Sequence, residues 1–162
     1  MFQRILAVVA VTFLLAACET ASQVSGDSAS TSASNTASSS AASAEKTPAE
    51  KLAQVGDTVN FDFDSAELTV SARSTLNRQS AFLSVNPDLM IVIEGHADER
   101  GTREYNLALG ERRASAARDY LVSLGIDPAR LTIISFGKER PVALGSNEDS
   151  WSQNRRSVSV VN

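Results

Sequence analysis

Leu89-Met90-Ile91-Val92-Ile93-Glu94-Gly95, running on into His96-Ala97-Asp98-Glu99-Arg100-Gly101-Thr102, is the stretch on which the fold turns. Residues 89–94 are almost continuously apolar, too short for an ordinary helix and rich in β-branched side chains. They predict a central strand buried on both faces and closed by Gly95. The polar, charged segment after it predicts a loop at the carboxyl end of that strand, where α/β sheets usually build their ligand sites.

Downstream, residues 103–124 predict a long helix, with Thr102 as its cap and Gly125 as its stop. Leu107, Gly110, Ala114, Ala117, Leu121 and Leu124 recur at spacings of three and four, and the small residues among them permit close approach to a sheet. On a wheel of about 100° per residue, Arg112 points away from that stripe, while Asn106, Leu109 and Arg113 line up along its flank. Upstream, Val59, Phe61 and Phe63 alternate with Asn60, Asp62 and Asp64, the period of a half-buried strand ending at Asp64. A weaker helical pattern, Ala72, Leu76, Phe82 and Leu83, stops before Asn86-Pro87. Residues 131–136 and 157–161 predict two more strands, separated by a loop with Gly and Pro. The order βαβαββ predicts an α/β (α+β) two-layer sandwich, a mixed four-stranded sheet with its helices on one face.

That folded part spans residues 51–162, and what precedes it is unlike it. Residues 1–17 carry Arg4 and then 13 uncharged, mostly apolar residues, the form of a secretory signal peptide and too short for the ~20 residues of a bilayer span. The only cysteine follows in Leu15-Ala16-Ala17-Cys18, which is similar to a bacterial lipobox with Cys18 as the lipidated residue; the alternative is a plain signal peptide with Cys18 incidental. Two or three acyl chains anchor stably where one is marginal. Glu19, standing where Asp would by the usual sorting rule retain a lipoprotein at the inner membrane, points to the outer membrane, facing the periplasm. Between Cys18 and Glu50 the chain collapses into Ser, Ala and Thr, with 10, 8 and 4 of the 32 residues from Glu19 onward. Such a segment cannot bury enough apolar surface to order itself and reads as a tether, with an r.m.s. span of roughly 30 Å; a glycosylated stalk is the alternative.

Charge and composition exclude several classes. The formal net charge of -4 argues against a sequence-independent grip on nucleic acid. One cysteine and one histidine allow no internal disulfide and no Cys- or His-rich metal centre, and no cofactor motif appears.

Asp98 in the loop, Asp64 at the end of the first strand and Arg113 on the helix shoulder then outline one hollow, provided the first two strands lie close. A hollow offering carboxylate and guanidinium complements a free amino-acid group, its ammonium on aspartate and its carboxylate on arginine. The alternative is an internal Asp98–Arg113 salt bridge holding loop to helix. His96 reads as a loop residue donating to a backbone carbonyl, Trp151 as an anchor for the last loop, and Arg155-Arg156 as a solvated pair. Asp64 and Asp98 as paired carboxylates of a glycan-cleaving enzyme is a rival reading that no nucleophile–base constellation supports.

Phe61-Asp62-Phe63-Asp64, Gly95-His96-Ala97-Asp98-Glu99-Arg100-Gly101, Tyr105-Asn106 with Leu109 and Glu111-Arg112-Arg113-Ala114, Ser135 to Pro141 and Asn154-Arg155-Arg156 together resemble the OmpA-like peptidoglycan-binding domain. The resemblance covers roughly residues 59–161. It implies a non-enzymatic module that binds peptidoglycan non-covalently, through the diaminopimelate of the stem peptide. Carried over by position, Asp98 takes the ammonium and Arg113 a carboxylate, while Phe63, Asp64, Glu99, Thr102, Asn106 and Leu109 line the pocket. It further implies a TolB-like periplasmic propeller protein as partner and a role in holding the outer membrane to the wall during cell division. Two positions depart from the family pattern: Arg103 stands where proline is common, and Trp151 where tyrosine is usual.

Overall fold

The structure, a computed structural model, describes residues 45–162. The expected signal peptide, Cys18 and most of the expected tether lie outside the described residues.

The first described element is a helix, α1 (Pro48–Val55). Thr47 caps it, accepting from the Glu50 backbone N–H while the Glu50 carboxylate accepts from the Thr47 N–H, a reciprocal pair that satisfies two otherwise orphaned donors. Residues 48–50 therefore belong to a folded helix, contrary to the reading of composition that assigns them to the tether; Leu52 buries α1 in the core.

Strand β1 (Thr58–Asn60) leads to α2 (Val70–Ser84), β2 (Ile91–His96), α3 (Arg103–Ser123), a 3-10 turn at Pro128–Arg130, β3 (Leu131–Gly137), α4 (Glu148–Asn154) and β4 (Arg156–Val161). The four strands form one sheet in the order β1-β4-β2-β3, with β2 and β3 parallel and β4 antiparallel to both of its neighbours. The mixed sheet with its α/β layering stands as expected. The adjacency of the first two strands does not, because β4 is inserted between β1 and β2.

Ile91 and Ile93 of β2, Leu76 and Leu83 of α2, and Ala114, Ala117 and Leu121 of α3 form the shared core. On β4 the core-facing alternation falls on serines: Ser159 donates to the Gln79 side-chain oxygen at 2.8 Å, and the Gln79 amide donates to the Gly56 carbonyl at 2.7 Å. This buried polar chain ties β4 to α2 and to the end of α1.

Three boundaries shift the site. β1 ends at Asn60 because Phe61 folds into the core, and the chain then turns through Asp62 to Asp64, whose φ of 52° lies in the left-handed region. β2 runs two residues past the expected end, so Gly95 lies inside the strand. There it meets Gly110 of α3: a Cβ on Gly95 would sit 1.9 Å from the Gly110 carbonyl oxygen, and one on Gly110 2.4 Å from Ser135 Oγ. The helix thus rests directly on the strand backbone. The buried stripe of α3 is also rotated from the expected one. Leu107 and Leu124 are half exposed, whereas Asn106, Leu109 and Arg113 are buried.

Candidate functional site

The end of β2, the loop at residues 97–102, the first turns of α3 and the turn after β1 enclose a cavity of about 150 Å³ lined by Phe63, Asp64, Asp98, Arg100, Gly101, Tyr105, Asn106, Leu109 and Arg113. A cavity of ~150 Å³ suits a benzene-sized guest, the end of a side chain and no more.

Of the residues expected at the site, Phe63, Asp64, Asp98, Asn106, Leu109 and Arg113 converge on this cavity. Glu99 and Thr102 do not line it. Thr102 turns its hydroxyl to the Tyr105 N–H as the cap of α3, as its position before the helix predicts. Glu99 faces the other side of the loop, where its carboxylate accepts from Trp151 Nε1 at 3.0 Å, and borders a separate hollow. Hydrogen bonds from Ser146 and Trp151 hold the Glu99 carboxyl below its ordinary pKa.

Arg113 is fully buried rather than shouldering the core. Its Nε donates to the Ser65 carbonyl at 2.8 Å, Nη1 to that of His96 at 2.9 Å and Nη2 to that of Asp62 at 3.0 Å. Three carbonyls from the β1 turn and the β2 end therefore converge on one guanidinium, which also lies 5.3 Å from the Phe61 ring centre. Burial pushes its pKa down to about 10, opposed by the charge of Asp98, so it stays protonated at neutral pH. Three of the five guanidinium N–H groups are used on the backbone.

The internal Asp98–Arg113 salt bridge, the alternative to a ligand-binding pair, does not form. Asp98 pairs instead with Arg100, whose Nη2 lies 2.6 Å from Oδ2 and whose Nε lies 3.2 Å from Oδ1; Oδ1 also accepts the Arg100 backbone N–H at 3.1 Å. Arg155 Nη1 stands 3.6 Å from Oδ2. Burial pushes the Asp98 carboxyl up, but the Arg100 hydrogen bonds and the charges of Arg100 and Arg155 outweigh it and hold the group below its ordinary value. The guanidinium of Arg100 is itself sandwiched, 4.0 Å from the Phe63 ring centre and 4.1 Å from that of Trp151. Trp151 is thus a stacking platform as well as an anchor.

Tyr105 donates its hydroxyl to Asp64 Oδ1, and that bond raises the phenol pKa. Arg100 and Tyr105 are the lining side chains that reading the sequence residue by residue passes over. Arg100 stands two positions from Asp98, a spacing that allows a charge-assisted turn, but nothing in the pattern separates it from a solvated loop charge. Tyr105 lies four residues, about one helical turn, before Leu109, beside the flank that the wheel identifies.

Two neighbouring expectations fail. His96 donates to no carbonyl: it is a buried strand residue, stacked on Phe136 at 5.6 Å, with neither ring nitrogen hydrogen-bonded and Glu94 Oε2 standing 3.6 Å from Nε2. Arg155 is not solvated. It is buried, donating from Nε to the Phe61 carbonyl and from Nη2 to Glu148. Among the described residues no cluster of His, Cys, Asp and Glu is arranged to hold a metal, and no helix is long and apolar enough to cross a membrane.

Residues 60–155 match the model of the OmpA family. The chain is 57% identical over 107 residues to the peptidoglycan-associated lipoprotein of Rhizobium meliloti, covering 66% of this chain and 61% of that protein. It is 52% identical over 99 residues to the protein of the same name from Pseudomonas aeruginosa, covering 61% of this chain and 58% of the relative. The chain thus spans about three fifths of the length of these relatives. Among solved structures it is similar to the peptidoglycan-associated lipoprotein of Burkholderia pseudomallei, with a TM-score of 0.64 and 46% identity, over 65% of this chain and 90% of that one. The C-terminal domain of Helicobacter pylori MotB shares the fold, with a TM-score of 0.61 and 18% identity, over 65% of this chain and 84% of that one.

Proposed function

The chain belongs to the OmpA family, and on that premise we propose that it is a non-enzymatic lipoprotein that binds peptidoglycan without covalent linkage and ties the outer membrane to the wall. The observation that carries this reading is the convergence of Asp64, Asp98 and the buried Arg113 on one small cavity. Two acids and a base around a space the size of a side-chain terminus complement a free amino-acid centre, which the peptidoglycan stem supplies as diaminopimelate. Its ammonium would meet Asp98, whose two oxygens keep accepting capacity beyond Arg100, and Asp64 on the opposite rim. Its carboxylate would meet the two remaining N–H groups of Arg113, whose guanidinium is held by three carbonyls. Phe63, Asn106 and Leu109 complete the walls, with Glu99 and Thr102 supporting the loop and helix start from outside.

The wider reading draws on the sequence before the domain and on what the resemblance of its motifs implies. Cys18 would carry the acyl chains, the Ser/Ala/Thr tract would span the gap to the wall, and a TolB-like propeller protein would be the periplasmic partner within a Tol-Pal system acting at cell division. The competing reading, a protein-interaction lipoprotein with a purely structural cleft, draws on the self-contained pairing of Asp98 with Arg100.

Co-sedimentation with purified sacculi separates the two. Asp98→Ala should weaken binding by ~2 to 5 kcal/mol, the usual loss when one partner of a buried charged contact is removed. Arg113→Lys, checked for folding by circular dichroism, should weaken it as well. Undiminished binding by both folded variants overturns the assignment.

A further inference from the structure

Resting on the reading of the cavity as a diaminopimelate site, we infer that Lys138 is a positioning residue for that site: it holds the acidic loop in its binding shape without touching the guest. The loop at residues 97–102 has no regular secondary structure, and within it the Thr102 carbonyl is taken by a backbone N–H of α3, that of Asn106. The three successive carbonyls before it are taken by side chains from beneath. Lys138 Nζ donates to the Glu99 carbonyl at 3.2 Å and to the Gly101 carbonyl at 2.7 Å, and Asn106 Nδ2 donates to that of Arg100 at 2.8 Å. At the loop's start the Ala97 N–H donates to the Gly137 carbonyl at 2.8 Å.

The backbone is bent to put Lys138 there. Gly137 has a φ of 51°, and a Cβ on it would lie 2.9 Å from the Leu107 nitrogen, so only glycine lets the end of β3 pass close under the start of α3. Lys138 does not line the cavity. It borders the hollow on the far side of the loop, with Glu99 and Pro141. One ammonium bound to carbonyls two residues apart fixes the curvature of the segment between them, and that segment carries Arg100, the partner of Asp98. Without it the loop would have to be ordered by the ligand, at a cost in affinity.

The test uses a soluble stem tripeptide ending in diaminopimelate, calorimetry, and amide hydrogen exchange. Lys138→Met, which keeps the aliphatic stem, should bind the peptide roughly tenfold more weakly, and Lys138→Arg, which can still reach two carbonyls, should recover to within about threefold of the parent. In an Asp98→Ala background, Lys138→Met should add no further loss, because no carboxylate remains to be positioned. Without ligand, Lys138→Met should speed exchange at the Ala97 and Arg100 amides while leaving the urea midpoint of the domain unchanged. Independent, multiplying losses in the double variant would mean that Lys138 acts on the guest directly, and unchanged loop exchange would mean that it positions nothing; either result overturns the inference. If the parent does not bind the peptide and exchange still rises, the ligand reading fails while the control of the loop by Lys138 stands.

Discussion

Arg100 lies over Asp98 with Nη2 2.6 Å from Oδ2, its guanidinium plane held between Phe63 and Trp151. That pairing sets the protonation of the acid. Burial alone would raise the Asp98 carboxyl; Arg100 supplies the hydrogen bonds that lower it. Arg100→Ala should therefore raise the Asp98 pKa, leaving Arg155, with Nη1 3.6 Å from Oδ2, as its remaining salt-bridge partner. A carboxyl carbon NMR titration reads this directly, and an unmoved midpoint would contradict it. Because the folded-state pKa is depressed, the stability Asp98 contributes is complete above its ordinary value near 3.8 and lost as pH falls through the folded value. In the variant the folded pKa moves toward the ordinary one, so the loss should be smaller and end at higher pH.

Arg113 joins the β1 turn to the end of β2 through three carbonyls, and its own charge is buried. Arg113→Ala should destabilise the domain by ~3 to 5 kcal/mol, since three carbonyls, one of them buried, lose their donor together and a cavity is left. Urea denaturation followed by far-UV circular dichroism measures it. Arg113→Lys should lose less stability, because an ammonium can serve part of the carbonyl set, yet it should still lose the two-pronged grip on a guest carboxylate.

His96 is the chain's single histidine, so its titration can be followed without interference. Burial, then the charges of Arg156 and Arg140, push its pKa down to about 4 from an ordinary 6.5. Between those values the unfolded chain binds more protons than the folded one. Stability should then be complete above about pH 6.5 and fall toward pH 4, by at most ~1.4 kcal/mol per pH unit. His96→Phe, which retains the stacking on Phe136, should flatten this dependence; urea midpoints at pH 7.5 and pH 4.5 make the comparison.

The elements with a strong single period were legible in the residues. The apolar run at residues 89–94 and the spacing from Asn106 to Leu121 identify β2 and α3, and Thr102 and Gly125 bound that helix where its caps fall. The flank of Asn106, Leu109 and Arg113 was legible for the same reason. What could not be read was how far that flank turns inward, because Gly110 admits the strand backbone and draws Arg113 into the core. Strand adjacency was misread because pairing is set by β4, whose core-facing serines carry no apolar signal. Helix α4 was missed for a similar reason, having Trp151 as its only large apolar residue. The start of α1 was overlooked although Thr47-Pro48-Ala49-Glu50 is itself a helix-start signal, masked by the Ser/Ala/Thr tract around it. The pairing of Asp98 with Arg100 is not legible in the sequence, because nothing in the pattern distinguishes Arg100 from a solvated loop charge.

The bare contact between Gly95 and Gly110 has a mechanical result. With no side chain to act as a cushion, strand end and helix form a single stiff beam, and the acidic loop and the first turns of α3 are mounted on it together. The loop and the helix start then keep their spacing to one another. Much of the ordering entropy that a looser frame would lose on meeting its guest is here surrendered when the chain first folds.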